Sequence, residues 1–136
     1  MLLLDRALSF DANGTSAEYT PRHDAWYADA AGNMPAWIGI ELMAQTIAAH
    51  VGLLKRFEGE PPKQGALLGT RSYQATRPTF DADLALCIHA RMIYRDANGL
   101  GSYECTISLG ELDVASAMLK VFEPDDFQTF LQTNIS

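Results

Sequence analysis

The stretch that decides the fold is Met34–Phe57, which reads MPAWIGIELMAQTIAAHVGLLKRF. Alanine, leucine, methionine and glutamine dominate it, and all four are strong helix formers. Asn33 is a candidate N-cap, and Pro35 suits the first turn because the N–H that proline lacks is unpaired there in any helix. Apolar residues cover nearly the whole helix circumference as far as Leu54, so the pattern predicts a helix buried on most sides.

The segments on both sides of this helix are predicted to be strands that can bury it. Two extended runs precede it, joined by a turn at 11–14, and four further β-type runs follow it. A short helix is predicted at Asp125–Gln132. The predicted strands are Leu2–Phe10, Thr15–Arg22, Ala66–Thr79, Leu84–Asp96, Leu100–Leu109 and Val114–Phe122. The economical arrangement is an α+β fold of one domain, 1–136, in which a curved antiparallel sheet wraps around one long central helix.

Composition excludes several classes of protein. The 136 residues suffice for one domain, and 48% apolar against 20% charged residues rules out disorder. With 17 acidic and 10 basic residues the net charge is −7, which argues against general nucleic-acid binding. No apolar run is long enough to predict a membrane span or a signal peptide.

Cysteine and histidine usage predicts neither a disulfide framework nor a cofactor. The two cysteines, Cys87 and Cys105, fit a reduced, cytoplasmic compartment. The three histidines are scattered without metal-ligand spacing, and no glycine-rich phosphate loop follows a strand. We therefore expect no metal and no nucleotide cofactor.

The order of these elements, together with the residues at the start of the helix, resembles the hotdog-fold 3-hydroxyacyl-[acyl-carrier-protein] dehydratases. Those proteins begin the central helix with Met-Pro-Gly and continue with a Glu-Ala-Met-Ala-Gln-like stretch. Here Pro35 and Glu41 keep that spacing, and 43–45 keep its continuation. Residues 77–78 and 81–84 resemble the family's Arg-Pro and Gly-Asp-Gln-Leu segments. The stretches LLLDR and AWIGIE resemble the dehydratase-like proteins of aryl-polyene biosynthesis in particular.

This resemblance implies a hotdog fold, an acyl thioester substrate on acyl carrier protein, and Glu41 as the catalytic acid. It also implies that the backbone N–H of Ala36, where the dehydratases have glycine, polarises the thioester carbonyl. One departure is serious. The dehydratases carry a catalytic histidine 14 residues before the helix acid, a position that is Tyr27 here.

Glu41 is the first candidate catalytic residue on physical grounds as well. A carboxylate in a buried helix must be paired, hydrogen-bonded or protonated, and burial would favour the protonated form. The alternatives are an ion pair with Arg71 or Arg77, or exposure near the end of the helix. Gln45, four residues on, shares the face of Glu41 and is expected to orient the acid or line the pocket, or else to bond the sheet.

Among the histidines, His23 is the candidate catalytic base because it lies in the segment before the helix. Its charged neighbours could equally make it a solvated loop residue. His50 lies nine residues after Glu41, on the opposite face of the helix, and is expected to be structural. His89 is expected to be an ordinary sheet position.

Aromatic and basic residues are the candidates for binding. Tyr27, Trp26 and Trp37 could line an acyl tunnel, although aromatic residues at such positions are more often core or subunit contacts. The arginines of the predicted strands could dock an acidic carrier protein or could simply be solvated. These arginines are Arg71, Arg77, Arg91 and Arg95.

Three functions are open at this point. The first is a dehydratase-like lyase, the second a hotdog thioesterase that uses the helix carboxylate and needs no histidine. The third is a catalytically silent partner of an active hotdog dehydratase. In each case a homodimer or heterodimer is expected, because a single sheet leaves edge strands with unpaired backbone groups.

Overall fold

A six-stranded antiparallel sheet and one helix form the body of the protein. The computed structural model describes residues 2–59 and 66–122, so the helix predicted at Asp125–Gln132 lies outside the described residues. The strands of the large sheet follow the order β1-β2-β6-β7-β8-β4, and β3 pairs with β5 in a separate short ladder. The elements are β1 (Arg6–Asp11), β2 (Gly14–Tyr19), β3 (Met34–Pro35), α1 (Ile38–Phe57), β4 (Ala66–Ala75), β5 (Thr79–Phe80), β6 (Leu86–Arg95), β7 (Leu100–Leu109) and β8 (Leu112–Phe122).

Helix α1 contacts all six strands of the large sheet, so the sheet curves around it. The central strands β6 and β7 alternate buried and more exposed residues, as expected where one face covers a helix. Their register places Ile88 opposite Ile107 on the buried face. On the helix, Leu42 and Met43 are fully buried against this face. The predicted α+β architecture is confirmed.

The start of the helix differs from the prediction. Residues 34 and 35 form β3, in which Met34 pairs with Phe80 of β5, and α1 begins only at Ile38. Trp37 precedes the helix without a side-chain cap. The predicted N-cap, Asn33, instead accepts a hydrogen bond from the backbone of Ala82 at 3.1 Å. The helical pattern was misleading because the partner strand lies more than 40 residues away.

Tyr73 of β4 fixes the start of α1. Its hydroxyl donates a hydrogen bond to the carbonyl of Ala36. Burial raises the pKa of Tyr73 to about 12, which keeps the hydroxyl protonated as a donor. Gly39 makes this contact possible, because a Cβ at that position would collide with the Tyr73 hydroxyl and lie 3.0 Å from Ile107.

His50 is packed into the core at the other end of the helix. Its side chain is fully buried, and its Nδ1 lies 2.8 Å from the hydroxyl oxygen of Thr15. Among the described residues its Nε2 has no hydrogen-bond partner. Burial lowers the pKa of His50, and the nearby charges act in opposite directions, Asp11 raising it and Arg95 lowering it. The structural role predicted for His50 agrees with this position.

No helix in the described parts of the chain is long and apolar enough to cross a membrane.

Replacing Gly39 with alanine should destabilise the protein by about 1–3 kcal/mol, because Tyr73 must move and the Ala36 carbonyl loses one of its two donors, keeping only the N–H of residue 39. Gly52→Ala, in the same helix, is the matched control. A Cβ at Gly52 meets nothing within 4 Å, so alanine there should stabilise the helix by about 0.5–1 kcal/mol. Urea denaturation measures both. Equal stability of the two variants would contradict the proposed contact.

The free energy of unfolding should fall as the pH drops from 7 to 5. A neutral His50 is favoured in the folded state, so the unfolded chain takes up the proton first as the pH falls. The free energy of unfolding should then change by at most about 1.4 kcal/mol per pH unit. His50→Leu should flatten this dependence, while His89→Gln, at an exposed position, should leave it intact. An unchanged slope in His50→Leu would show that another group is responsible.

Candidate active site

Glu41 lies in the first turn of α1 and lines a cavity of about 230 Å³. The walls around it are apolar or aromatic and consist of Leu3, Trp26, Trp37 and Ile38. Of the alternatives for Glu41, exposure near the start of the helix is the one that the structure shows, and the burial that its apolar surroundings suggested is not observed. Sequence periodicity showed an apolar helix but not which stripe the single sheet leaves uncovered.

Gln45 is the hydrogen-bond partner of Glu41. Its Nε2 donates to Oε1 of Glu41 at 2.9 Å, across one helical turn, as the spacing of four residues predicts. Its Oε1 accepts from the backbone N–H of Leu3 at 2.7 Å and of Leu4 at 3.4 Å. Glu41 makes no ion pair with any side chain that the structure describes, that of Arg77 included.

The backbone at the start of α1 offers two hydrogen-bond donors. The N–H of Ala36 is occupied, because it donates to the carbonyl of Pro78 at 2.9 Å. The expected contact between this N–H and a thioester oxygen is therefore not available in this structure. The N–H groups of Trp37 and Ile38 come next, and neither has an acceptor among the described residues. They are the free amides of a helix N-terminus, where negative charge is favoured.

His23 and Tyr27 occupy different environments. His23 is exposed in the loop beside Gly32 and is not among the residues lining the two cavities beside Trp26. Tyr27 is buried, and its hydroxyl accepts the backbone N–H of Arg22 at 2.9 Å and shares a hydrogen bond with the hydroxyl of Tyr19. The two tyrosines line a second cavity of about 310 Å³.

The tyrosine pair is held by hydrogen bonds in a buried position. Burial raises the pKa of Tyr19 well above its usual value, and the hydrogen bond with Tyr27 raises it further. The hydroxyl of Tyr19 therefore stays protonated near pH 7. The hydroxyl of Tyr27 is already engaged by the N–H of Arg22 and by Tyr19, a structural arrangement at the position where the dehydratases carry their histidine.

Exposed apolar side chains lie in the linings of both cavities. Trp26 belongs to both linings and is 62% exposed, as is Trp37, while Leu2 beside them is 78% exposed. Leu3 also lines both cavities, a position that the short apolar run at 2–4 did not indicate. Exposed aromatic and aliphatic side chains around a cavity are typical of a surface that binds an apolar ligand or another subunit.

The remaining candidates from the sequence are possible metal ligands and the arginines considered for carrier docking. Among residues 2–59 and 66–122, no three histidine, cysteine or acidic side chains are placed to hold a metal. Of the arginines considered for carrier docking, Arg91 is paired with Glu104 at 2.8 Å within the sheet. The side chain of Arg71 lies outside the described residues.

Comparison with known proteins confirms the family and the fold expected from the sequence. The model of the ApeP-like family, described as ApeP dehydratase, matches residues 1–132. Among curated proteins, no sequence matches this chain significantly. Many solved structures do, and one is the dehydratase heterocomplex ApeI:P from Xenorhabdus doucetiae. That chain is 25% identical with a TM-score of 0.89, over 98% of this chain and 90% of that one.

Two thioesterase structures share the fold at lower identity. One is a hypothetical thioesterase with coenzyme A from Streptococcus pneumoniae TIGR4, with 14% identity and a TM-score of 0.68 over 87% of this chain and 86% of that one. The other is a mutant of thioesterase PA1618 from Pseudomonas aeruginosa, with 13% identity and a TM-score of 0.68 over 88% and 80%. At such identities the likeness shows the hotdog fold alone.

Tyr27→Phe should lower the free energy of unfolding by about 1–3 kcal/mol, because the Tyr19 hydroxyl and the Arg22 N–H both lose their partner in a buried site. Tyr94→Phe is the control for the same chemical change. Tyr94 is exposed, and its hydroxyl reaches Asp96 only at 3.4 Å, so its loss should cost almost nothing. Urea denaturation of both variants provides the test, and equal stabilities would contradict a structural role for the tyrosine pair.

Proposed function

Because this chain belongs to the ApeP-like dehydratase family, we propose that it removes water from 3-hydroxyacyl thioesters carried by acyl carrier protein. It is a dehydratase-like hotdog protein, a lyase by family. The observation that carries the proposal is the position of Glu41. A carboxylate lines an apolar cavity, and it lies in the first turn of a helix whose N-terminal amides are free.

The proposed reaction is an elimination across Cα and Cβ. The N–H groups of Trp37 and Ile38 hold the thioester oxygen, where the developing negative charge is stabilised. A base removes the proton from Cα, and the electron pair of that C–H bond forms the double bond. The C–O bond at Cβ breaks, and the hydroxyl leaves as water after taking a proton. Glu41 carries out one of these two proton transfers.

The second proton-transfer group is proposed to come from a partner subunit. Of the described residues that line its cavity, Glu41 alone is ionisable, His23 lies elsewhere, and the Tyr27 hydroxyl is engaged by Tyr19 and Arg22. We propose that another hotdog protein supplies an imidazole. The ApeI:P dehydratase, 25% identical to this chain, is a heterocomplex, which supports a second, different hotdog subunit.

The uncovered stripe of α1 supports the same proposal. Trp37, Glu41, Ala48 and Gly52 are exposed at helical spacing on one face. With the exposed Trp26 and Leu2 beside them, they form a mostly apolar surface that includes the site. Covering this surface with a subunit would bury the tryptophans and close the cavity around the carboxylate, which would strengthen every electrostatic contact inside.

Thioester hydrolysis is the alternative with an observation in its favour, since Glu41 reaches a cavity without an imidazole and could activate water there. The products separate the two reactions. Hydrolysis releases a free thiol, whereas dehydration leaves the thioester intact and forms a 2-enoyl group. A silent subunit would catalyse neither reaction alone, and dehydration by its active partner in a mixture would be unchanged when Glu41 is replaced.

Glu41→Gln should lower dehydration by about 10²–10⁴-fold in the assembly in which the wild-type chain is active, because the amide cannot transfer a proton. The thermal midpoint should hardly change, since Glu41 is exposed and without an ion pair among the described side chains. Product analysis with a 3-hydroxyacyl carrier-protein thioester measures turnover.

Glu111→Gln, at an exposed turn between β7 and β8, makes the same chemical change away from the cavity and should keep full activity. Full turnover of Glu41→Gln would remove the carboxylate from the mechanism. A large fall in its thermal midpoint would assign Glu41 to structure instead.

A further inference from the structure

Gln45 joins the carboxylate of Glu41 to the segment that precedes β1. One end of its amide accepts the N–H groups of Leu3 and Leu4, and the other end donates to Glu41. The distances are 2.7, 3.4 and 2.9 Å in that order. Leu3 in turn lines both cavities. A single side chain thus connects the acid to a wall of its own cavity.

The backbone determines which way this amide points. An amide oxygen can accept two N–H groups, but an amide nitrogen cannot, because it carries only donors. The N–H groups of Leu3 and Leu4 therefore require the oxygen of Gln45 on their side. The nitrogen must face Glu41, where the reversed amide would set two oxygen acceptors against each other.

We propose that Gln45 is a positioning residue that holds Glu41 in one orientation, with Oε1 engaged and Oε2 left for proton transfer. Within the described residues Oε2 has no hydrogen-bond partner. This inference rests on the proposed role of Glu41, and it assigns Gln45 to the acid rather than to the substrate.

The other charged side chains near the site lie around the second cavity, not beside Glu41 and Gln45. Asp5 lies 3.6 Å from Arg22, and Arg22 and Asp24 line the second cavity together with Tyr19 and Tyr27. None of these five side chains lines the cavity of Glu41. Among the described residues, the hydrogen bond from Gln45 is the direct polar contact that Glu41 makes.

Gln45→Glu tests the donor end of the amide without removing the acceptor end. It keeps an oxygen for Leu3 and Leu4 but replaces the donor with a second acid beside Glu41. We expect the thermal midpoint to be retained, kcat to fall about 10–100-fold and KM to change little. The limb of the pH–rate profile that depends on Glu41 should move to higher pH by about one unit or more. The direction is the same whether Glu41 acts as acid or base, because the second carboxylate and the loss of the N–H donor both favour protonation.

Gln45→Leu removes both contacts, so the same upward shift should appear together with a lower thermal midpoint. Thr46→Val is the matched control. It removes the hydrogen bond from Thr46 to the carbonyl of Leu42, 2.8 Å long and also in α1, and should leave the pH–rate profile in place. All variants are measured in the assembly in which the wild-type chain turns over substrate.

A pH–rate profile unmoved in both Gln45 variants would overturn the positioning role, as would a rise in KM alone, which would make Gln45 a substrate contact. Either result could occur with Glu41→Gln still inactive, which would leave the proposed function standing. Full activity of Glu41→Gln would instead remove the proposed function, whatever the Gln45 variants do.

Discussion

The packing of α1 against a single curved sheet is the constraint on which the rest of the structure depends. One sheet covers the side of the helix that carries Leu42, Met43 and His50, all fully buried. It does not reach the opposite stripe, on which Trp37 and Glu41 are exposed. The cavity, the carboxylate and the free helix amides all lie at the start of that stripe. The site is therefore built on the surface that the fold itself leaves uncovered.

This arrangement gives the chain part of the chemistry of a dehydratase. It has an acid, two N–H donors for an oxygen with developing charge, and an apolar cavity of suitable chemistry. The imidazole expected from the related dehydratases is replaced by Tyr27, whose hydroxyl is used to hold Tyr19 and the backbone of Arg22. The position of the dehydratase histidine thus carries a structural residue here, and a second subunit is the proposed source of the base.

Much of the fold could be predicted because its signals are local. The β7 bounds, the turn that joins β1 to β2 and the C-terminal end of α1 agree with the pattern of apolar and turn residues. The start of α1 could not be predicted, because β3 exists only through its pairing with the distant β5. The choice between burial and exposure of Glu41 could not be made for a related reason. An all-apolar helix pattern does not reveal which stripe the sheet fails to cover. The link between Leu3 and Gln45 spans 42 residues and has no local signal either.

We propose that this chain supplies a catalytic carboxylate and depends on another hotdog protein for the base. Turnover of a 3-hydroxyacyl carrier-protein thioester should therefore be compared for the purified chain alone, for a hotdog protein encoded beside it alone, and for the two mixed. The mixture should form the 2-enoyl thioester much faster than the sum of the separate proteins. Full dehydration by this chain alone, unchanged by the partner, would show that no second subunit is needed for the base.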